Sequence, residues 1–207
     1  MVVELPSFRF DGTTILDGIY LECSENEKVG IHGVNGSGKS TLFKTILGAY
    51  ESCARISIDG DAYGGRRFHR IGYLPQDSFL PRHMTVRDCA RLLLSRFEMK
   101  AGYLDLVSPY LDARIGRLAS GLVRFIEVAI VSSMDRRVVI YDEPLTGLDP
   151  LHVDAVKRLL REPNRVHLIS DHNFRDCIDS TDTDYILSGG SLHRCAKQDL
   201  VRYYTRS

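Results

Sequence analysis

The chain has 207 residues, of which 43% are hydrophobic and 26% are charged. This length and composition are typical of one globular domain and exclude a disordered or collagen-like chain. The 27 basic and 27 acidic residues give a net charge of zero, without the positive excess of a nucleic-acid-binding protein, so we expect no nucleic-acid partner. The five cysteines are scattered, which indicates buried thiols in a reducing compartment and therefore a cytosolic protein. No apolar run reaches the roughly 18 residues of a membrane span.

The first part of the chain alternates short apolar segments with turns. These segments predict strands at 2–10, 19–23, 28–32, 55–58 and 71–74. A helical pattern over 40–47 ends at Gly48, a residue type common directly after a helix.

A more helical region follows, and we assign residues 82–131 roughly to a helical insertion. Thr85 has Asp88 three positions later, which resembles a capping box before a helix that continues over 89–97. Further helices are predicted over 103–111 and 120–134.

The alternation of strands and helices then resumes. Strands are predicted at 138–141 and 166–170, with a hairpin at 184–188 and 192–195 around Gly189-Gly190. A helix is predicted from Pro150 to about residue 161, capped by Asp149. Because short apolar strands alternate with helices, we expect a single α/β domain over 1–207, with a parallel sheet covered on both faces.

A glycine-rich loop joins the strand at 28–32 to the helix at 40–47, and it reads Gly33-Val34-Asn35-Gly36-Ser37-Gly38-Lys39-Ser40. It fits GxxxxGK[ST], in which several N–H groups and the positive end of the following helix surround an anion. Lys39 is expected to reach the β- and γ-phosphates, and Ser40 to bind Mg²⁺. An ordinary glycine-rich turn is the alternative, but the strand before the loop and the helix after it favour nucleotide binding.

Two acidic residues follow the apolar strand at 138–141. Asp142 can hold Mg²⁺ through water, and Glu143 can orient or deprotonate an attacking water molecule. A solvated turn is the alternative, and the phosphate loop earlier in the chain favours the catalytic interpretation.

These motifs and their order resemble the ATP-binding cassette (ABC) ATPases over essentially the whole chain. The segment Leu145-Thr146-Gly147-Leu148-Asp149-Pro150 resembles the family's D-loop. Gln76 ends a predicted strand at the Q-loop position, and His172 stands where the family has its switch histidine.

Two further family features are less closely matched. Phe10 lies where the family has its adenine-stacking aromatic residue, although Phe8 or Tyr20 could stack instead. The segment 118–125 corresponds to the family's LSGGQ signature. In it Gly121 and Arg124 match, whereas Ala119 replaces the serine, Ser120 the first glycine and Leu122 the glutamine.

The resemblance implies a P-loop NTPase core with a mixed sheet, consisting of a parallel core and antiparallel N-terminal strands, and a short helical subdomain. It implies ATP and Mg²⁺ as cofactors. The residues that it implies for nucleotide contact are Phe10, Gly33, Asn35, Gly36, Ser37, Gly38, Lys39, Ser40, Thr41, Ser120, Gly121 and Asp149. Those implied for catalysis are Lys39, Gln76, Glu143 and His172, and those for the metal are Ser40, Gln76 and Asp142.

Family members dimerise head to tail, and each ATP site takes its signature from the other chain. The resemblance therefore implies a second cassette chain, identical or different, and a membrane-spanning transporter subunit that docks near residues 77–81. We expect an ATPase subunit that powers solute transport from the cytoplasmic face of a membrane. A soluble ABC-type ATPase in assembly or signalling, or a weakly hydrolysing half of an asymmetric pair, is the alternative.

Overall fold

The computed structural model describes residues 1–63, 69–94, 99, 101–160, 163–170 and 180–206. The strands in these ranges are β1 Val2–Phe10, β2 Thr13–Glu22, β3 Lys28–His32, β4 Arg55–Ile58, β5 Asp61–Tyr63, β6 Ile71–Leu74, β7 Val138–Asp142, β8 Val166–Ser170, β9 Thr183–Ser188 and β10 Ser191–Cys195. The α-helices are α1 Lys39–Ile46, α2 Val86–Leu93, α3 Ala101–Val107, α4 Ser120–Ser133, α5 Pro150–Leu159 and α6 Lys197–Arg206. Short 3-10 turns occupy Ser108–Tyr110 and Ile115–Arg117.

The central sheet has six strands in the order β10-β9-β3-β8-β7-β6. Its neighbouring strands are parallel except for the β9-β10 hairpin. Because these strands run in the same direction, the carboxyl ends of β3, β8, β7 and β6 all lie at one edge of the central sheet. The motifs predicted for nucleotide binding and catalysis follow these four strands.

A second, antiparallel sheet has the order β2-β1-β4-β5. It packs together with α1 on one face of the central sheet, while the helices α2, α3, α4 and α5 cover the other face. Strand β7 is buried on both faces. Val138 and Ile140 pack in the core between the central sheet and the antiparallel sheet with α1, and Val139 and Tyr141 pack in the core beneath the other four helices. This alternation is expected for a strand whose side chains point to opposite faces.

The predicted α/β fold with a mixed sheet is confirmed. Strands β3, β4, β6 and β8 have the predicted bounds, and α1 begins one residue earlier than expected. Thr85 caps α2 by accepting a hydrogen bond from the Asp88 N–H at 3.2 Å. The strand β5 was not predicted because it has only three residues, and the helix α6 was not predicted because its charged and hydrophobic residues are equal in number.

Three predicted helices in the second part of the chain differ in extent. The helix predicted to follow the capping box at Thr85 begins at Val86, in agreement with that start, but it ends at Leu93 and not at residue 97. Residues 95–98 lie outside the described residues. The helix predicted over 103–111 is α3 followed by a 3-10 turn, because Pro109 lacks the N–H group that a continuing helix requires. The helix behind Asp149 ends at Leu159, two residues before the predicted end.

The helical insertion predicted over 82–131 contains α2, α3 and most of α4, and its boundaries as a subdomain stay a prediction. No helix in the part of the chain that the structure describes is long and apolar enough to cross a membrane. The described cysteines are all free thiols, and Cys23 and Cys89 are buried as predicted. The prediction of burial is wrong for Cys53, which is exposed in the segment between α1 and β4, and for Cys195, which is partly exposed at the end of β10. Cys177 lies outside the described residues.

Candidate nucleotide-binding site

The glycine-rich loop leaves β3 at His32 and enters α1 at Lys39. Gly38 precedes the helix with a φ of 104°, a conformation that side chains with a Cβ rarely adopt. At Gly33 an added Cβ would lie 2.5 Å from Ser37 Oγ and 2.7 Å from the Leu187 carbonyl oxygen, so only glycine fits there. The first N–H groups of α1 have no partner within the helix, and they form the anion-binding end of the loop.

Lys39 is buried inside this loop, with 7% of its surface exposed. Its Nζ atom donates hydrogen bonds to the carbonyl oxygens of Gly33, at 2.7 Å, and of Val34, at 3.3 Å. An ammonium group has three donors, so these two bonds fix its position within the loop and direct its charge at the loop's centre.

A cavity of about 450 Å³ lies directly over the loop. It is lined by Ile15, Asn35, Gly36, Ser37, Gly38, Lys39, Ser40, Thr41, Gln76 and Glu143. Seven of the loop and helix residues predicted to contact nucleotide therefore line one space together with Gln76 and Glu143, which come from distant parts of the chain. Ile15 was missed, because an isoleucine in an alternating strand carries no chemical signal.

Asp142 ends β7 next to Ser170, which ends β8. Its carboxylate is 1% exposed and accepts hydrogen bonds from Ser170 Oγ at 2.8 Å and from the Tyr73 hydroxyl at 3.4 Å. Burial, and then the charge of Asp142, raises the pKa of Tyr73, so this phenol keeps its proton and remains a donor. Neither Ser170 nor Tyr73 was predicted to act at the site.

Glu143 has a positive φ of 55°, which is uncommon for a residue with a side chain. The surrounding structure holds it there: its N–H donates to the Ser170 carbonyl at 2.8 Å, and Thr146 Oγ1 donates to its Oε2 at 3.3 Å. A strained backbone of this kind persists only where the surrounding contacts maintain it, and it occurs most often at functional positions.

A buried ion pair in α4 connects the segments around Gln76 and Glu143. Arg124 donates to Glu127 at 3.3 Å, to the Pro75 carbonyl at 2.7 Å and to the Glu143 carbonyl at 2.9 Å. The Glu127 carboxylate in turn accepts from Ser78 Oγ at 2.6 Å and from the Phe79 N–H at 2.9 Å. The sequence signal for this pair is an arginine three residues before a glutamate in an otherwise apolar helix.

The signature segment lies at the start of α4, with Ala119 as the N-cap residue and Ser120 as the first helical residue. Gly121 packs against the D-loop so closely that an added Cβ would lie 2.4 Å from the Gly147 carbonyl oxygen. Ser120 and Gly147 line a second cavity, of about 580 Å³, that also includes Gln76 and Arg124. The signature and the D-loop are therefore neighbours within one chain.

Asp149 begins α5 and accepts hydrogen bonds from the His152 N–H at 3.0 Å and from His152 Nδ1 at 2.7 Å. The backbone N–H of His152, and then its side chain, lower the pKa of Asp149. In this chain Asp149 is thus a helix cap, and its predicted contact with a nucleotide stays a prediction.

The three aromatic candidates for adenine stacking differ in exposure. Phe8 is buried and stacks on Tyr50, whereas Phe10 and Tyr20 have more than half of their surface exposed. Phe10 lies in the same hairpin as Ile15, which lines the cavity over the phosphate loop. Stacking of Phe10 on the adenine stays a prediction. His172 lies outside the described residues, directly beyond β8.

Comparison with known proteins identifies the family. The family model of the ABC transporter matches residues 16–146, more than half of the chain. The lipopolysaccharide export ATP-binding protein LptB of Escherichia coli strain K12 is 30% identical over 203 residues, which cover 88% of this chain and 84% of that protein. The Nod factor export ATP-binding protein I of Burkholderia pseudomallei is 33% identical over 156 residues, which cover 69% of this chain and 51% of that protein.

Solved structures agree in fold. The structure of an ATP-binding subunit of an ABC transporter matches with a TM-score of 0.82 at 23% identity, covering 99% of this chain and 92% of that one. A nucleotide-free ATP-binding cassette of an ABC transporter matches with a TM-score of 0.78 at 18% identity, covering 100% and 94%. The chain belongs to the ABC transporter family, and it is an ATP-binding and ATP-hydrolysing subunit of an ABC transporter.

Proposed function

We propose that the cavity over the glycine-rich loop is the site where this subunit binds and hydrolyses ATP. One observation carries the proposal: the loop residues, Gln76 and Glu143 line the same space at the carboxyl edge of the central sheet. Phosphoryl transfer requires mainly positioning and charge stabilisation, and this edge brings together the groups for both.

The loop and the first turn of α1 bind the phosphates. The backbone N–H groups and Lys39 surround the triphosphate. The loop and helix residues that line the cavity contact the nucleotide, namely Asn35, Gly36, Ser37, Gly38, Ser40 and Thr41, with Phe10 against the adenine. Gly33, a predicted contact, is not part of this lining and acts through its carbonyl, which holds Lys39. The two loop carbonyls that hold Lys39 keep its charge aimed at the β- and γ-phosphates.

Ser40, Gln76 and Asp142 hold Mg²⁺. Hydroxyl, amide and carboxylate oxygens suit this hard ion, which proteins commonly hold through one or two carboxylates together with phosphate oxygens. The hydrogen bonds from Ser170 and Tyr73 support this role by fixing the Asp142 carboxylate. When bound, the ion neutralises charge on the phosphates.

Glu143 orients the attacking water and accepts its proton on a carboxylate oxygen. Its side chain reaches the cavity from a backbone that the Ser170 and Arg124 hydrogen bonds keep in place. His172 holds the γ-phosphate and helps to orient the water, and this role rests on the resemblance to the family.

A second cassette chain completes each site. Ser120, Gly121 and Asp149 face the nucleotide of the partner cassette when two chains meet head to tail. ATP draws the chains together, and hydrolysis with release of phosphate separates them. The close packing of Gly121 on Gly147 supports a concerted movement of the signature and the D-loop.

The transporter's membrane-spanning subunit docks at the cavity of about 580 Å³ beside Gln76. Leu80 is 4% exposed and Phe79 packs on the helical core, so these two side chains belong to this domain's own packing. The groove that remains for a partner's helix is lined by Ser78, Arg82, Ile115, Leu118 and Val123, among others. Docking there places the chain on the cytoplasmic face of a membrane.

The substituted signature supports a second arrangement, in which this chain pairs with a different cassette. Ala119 caps α4 without a side-chain hydrogen bond, so only Ser120, one position later, offers a hydroxyl at this helix end. In such a pair the site that receives this signature hydrolyses ATP slowly. Robust ATP turnover by the isolated chain would favour the symmetric dimer instead.

Two lysines on α1 provide a matched test of the phosphate site. Lys39→Ala removes the buried ammonium group, whereas Lys44→Ala removes an exposed one in the last turn of the same helix. We expect Lys39→Ala to lose at least about tenfold in affinity for ATP, since hydrogen bonds to charged groups contribute about 1.5–3 kcal/mol. Equilibrium titration with a fluorescent ATP analogue measures this, and equal affinities for the two variants would refute the assignment.

A further inference from the structure

The helix α6 follows the β9-β10 hairpin and packs beside the phosphate loop. Leu200, Tyr203 and Tyr204 are spaced three and four residues apart and therefore lie on one face of this helix. Leu200 is fully buried, and Lys197 Nζ donates to the Thr181 carbonyl at 3.1 Å. These two contacts fix the helix on the domain and bring the two tyrosines to the loop.

Both tyrosine hydroxyls accept hydrogen bonds from the start of the phosphate loop. The Gly33 N–H donates to the Tyr204 hydroxyl at 3.1 Å, and the Val34 N–H donates to the Tyr203 hydroxyl at 3.4 Å. A loop that binds phosphate through backbone N–H groups thus has two of its N–H groups bound to side chains from a helix far along the chain.

One peptide unit connects this contact to Lys39. The Gly33 carbonyl and the Val34 N–H belong to the same planar peptide group, so neither can turn without the other. The N–H side bonds Tyr203, and the carbonyl side accepts from Lys39 Nζ at 2.7 Å. The orientation of this peptide therefore determines where the ammonium group is held.

We propose that Tyr203 and Tyr204 are positioning residues for ATP binding. Tyr203 acts through the Gly33-Val34 peptide to hold Lys39 in place, and Tyr204 fixes the preceding His32-Gly33 peptide. This inference rests on the proposed role of Lys39 in phosphate binding. The tyrosine hydroxyls bond the start of the loop, and neither tyrosine lines the cavity over it, so they set the affinity for ATP and leave the hydrolytic step to Glu143.

The test uses the double variant Tyr203→Phe/Tyr204→Phe, which keeps both rings and removes both hydroxyls. Because two hydrogen bonds of ordinary strength are lost, we expect roughly a three- to tenfold rise in the Kd for a fluorescent ATP analogue. A similar rise in KM with kcat changed less than about twofold is expected, because removal of uniform binding leaves kcat unaffected.

Two variants serve as controls. Val201→Ala changes the exposed side of α6, and Tyr110→Phe removes a tyrosine hydroxyl in the helical part of the domain. Both are expected to keep the wild-type Kd. Hydrogen exchange at the Gly33 and Val34 amides gives a second readout, and it should accelerate in the double variant alone, with no change in the thermal midpoint of unfolding beyond that of Tyr110→Phe.

The outcomes separate this inference from the proposed function. If the wild-type chain and the double variant bind ATP equally well, or if exchange at the two amides is unchanged, Tyr203 and Tyr204 are not positioning residues. If the wild-type chain does not bind ATP with Lys39-dependent affinity, the proposed phosphate site itself is wrong.

Discussion

Arg124 illustrates how single residues organise this site. Its guanidinium is 7% exposed, and it joins Glu127, the segment before Gln76 and the backbone of Glu143. A buried charge is costly unless it is paired and hydrogen-bonded, and here both members of the pair have several partners. The pair thus fixes the positions of the Gln76 and Glu143 segments relative to the helix α4.

Replacement of Arg124 by alanine should destabilise the fold, because it leaves the buried Glu127 carboxylate without its cation. We expect Arg124→Ala to lower the free energy of unfolding by about 3 kcal/mol, because Glu127 is left without its cation. Chemical denaturation measures the loss. Arg87→Ala, which breaks an exposed ion pair with Asp112 at 2.9 Å, serves as the control and should change stability little.

A second substitution tests the cause of that loss. Glu127→Gln in the Arg124→Ala background removes the unpaired charge, so it should restore part of the stability. An equal or larger loss in the double variant would show that packing, and not the buried charge, accounts for the effect.

The sequence predicts the residues of the site with recognisable chemistry, and the structure adds those that support them. Lys39, Ser40 and Asp142 belong to motifs whose spacing follows from phosphate and metal binding. Ser170 and Tyr73 belong to strands whose patterns report burial alone, and only the pairing of β7 with β8 and with β6 places them beside Asp142.

At the scale of elements, the close contact between α4 and the D-loop requires a glycine, which has no side chain, at position 121. Gly121 of the signature faces Gly147, and a Cβ added to Gly121 would lie 2.4 Å from the Gly147 carbonyl oxygen. Either the helix or the D-loop must shift to admit a methyl group there, because the contact atom belongs to the backbone.

Gly121→Ala should therefore impair ATP hydrolysis by separating the signature from the D-loop. We expect a loss of stability of about 1–3 kcal/mol from overpacking and a fall in ATP turnover larger than the unfolded fraction explains. The measurements are steady-state phosphate release and denaturant unfolding. Gly72→Ala is the matched control, since its Cβ would meet Val139 at an ordinary 3.4 Å, and wild-type behaviour of both variants would refute this packing argument.

Element boundaries were predictable where local signals agree. The strands β3 and β8 are short segments with a mostly apolar centre and turn residues on both sides. The helix α5 follows an Asp-Pro pair that is typical of a helix start. The helix α6 was not predictable in this way, because it has as many charged residues as hydrophobic ones and its position depends on the contacts of Leu200 and the tyrosines with the rest of the chain.

At the scale of the whole molecule, the central sheet explains why distant motifs form one site. Strand β8 lies between β3 and β7, so the phosphate loop and Glu143 stand at the carboxyl ends of the two strands that flank it. Composition and periodicity predict parallel strands but do not give their order. The common edge follows from the strand direction, and the resemblance to the ABC family supplied the expectation that these particular segments meet there.

The subunit's net charge of zero is consistent with a protein that associates with other proteins. The proposed working surfaces are a face for a second cassette and a groove for a membrane-spanning subunit. A chain without a large excess of either charge is suited to association with other proteins, because self-repulsion is small.

The most direct test of the central claim is phosphate release by Glu143→Gln, measured in a single turnover with ATP prebound. The amide keeps the size of the side chain but cannot accept the proton of the attacking water. We expect ATP affinity close to that of the wild-type chain and hydrolysis slowed by at least about a hundredfold, the typical contribution of a general base. Glu4→Gln, an exposed change on β1, should leave both unchanged. Wild-type phosphate release by Glu143→Gln would contradict the account.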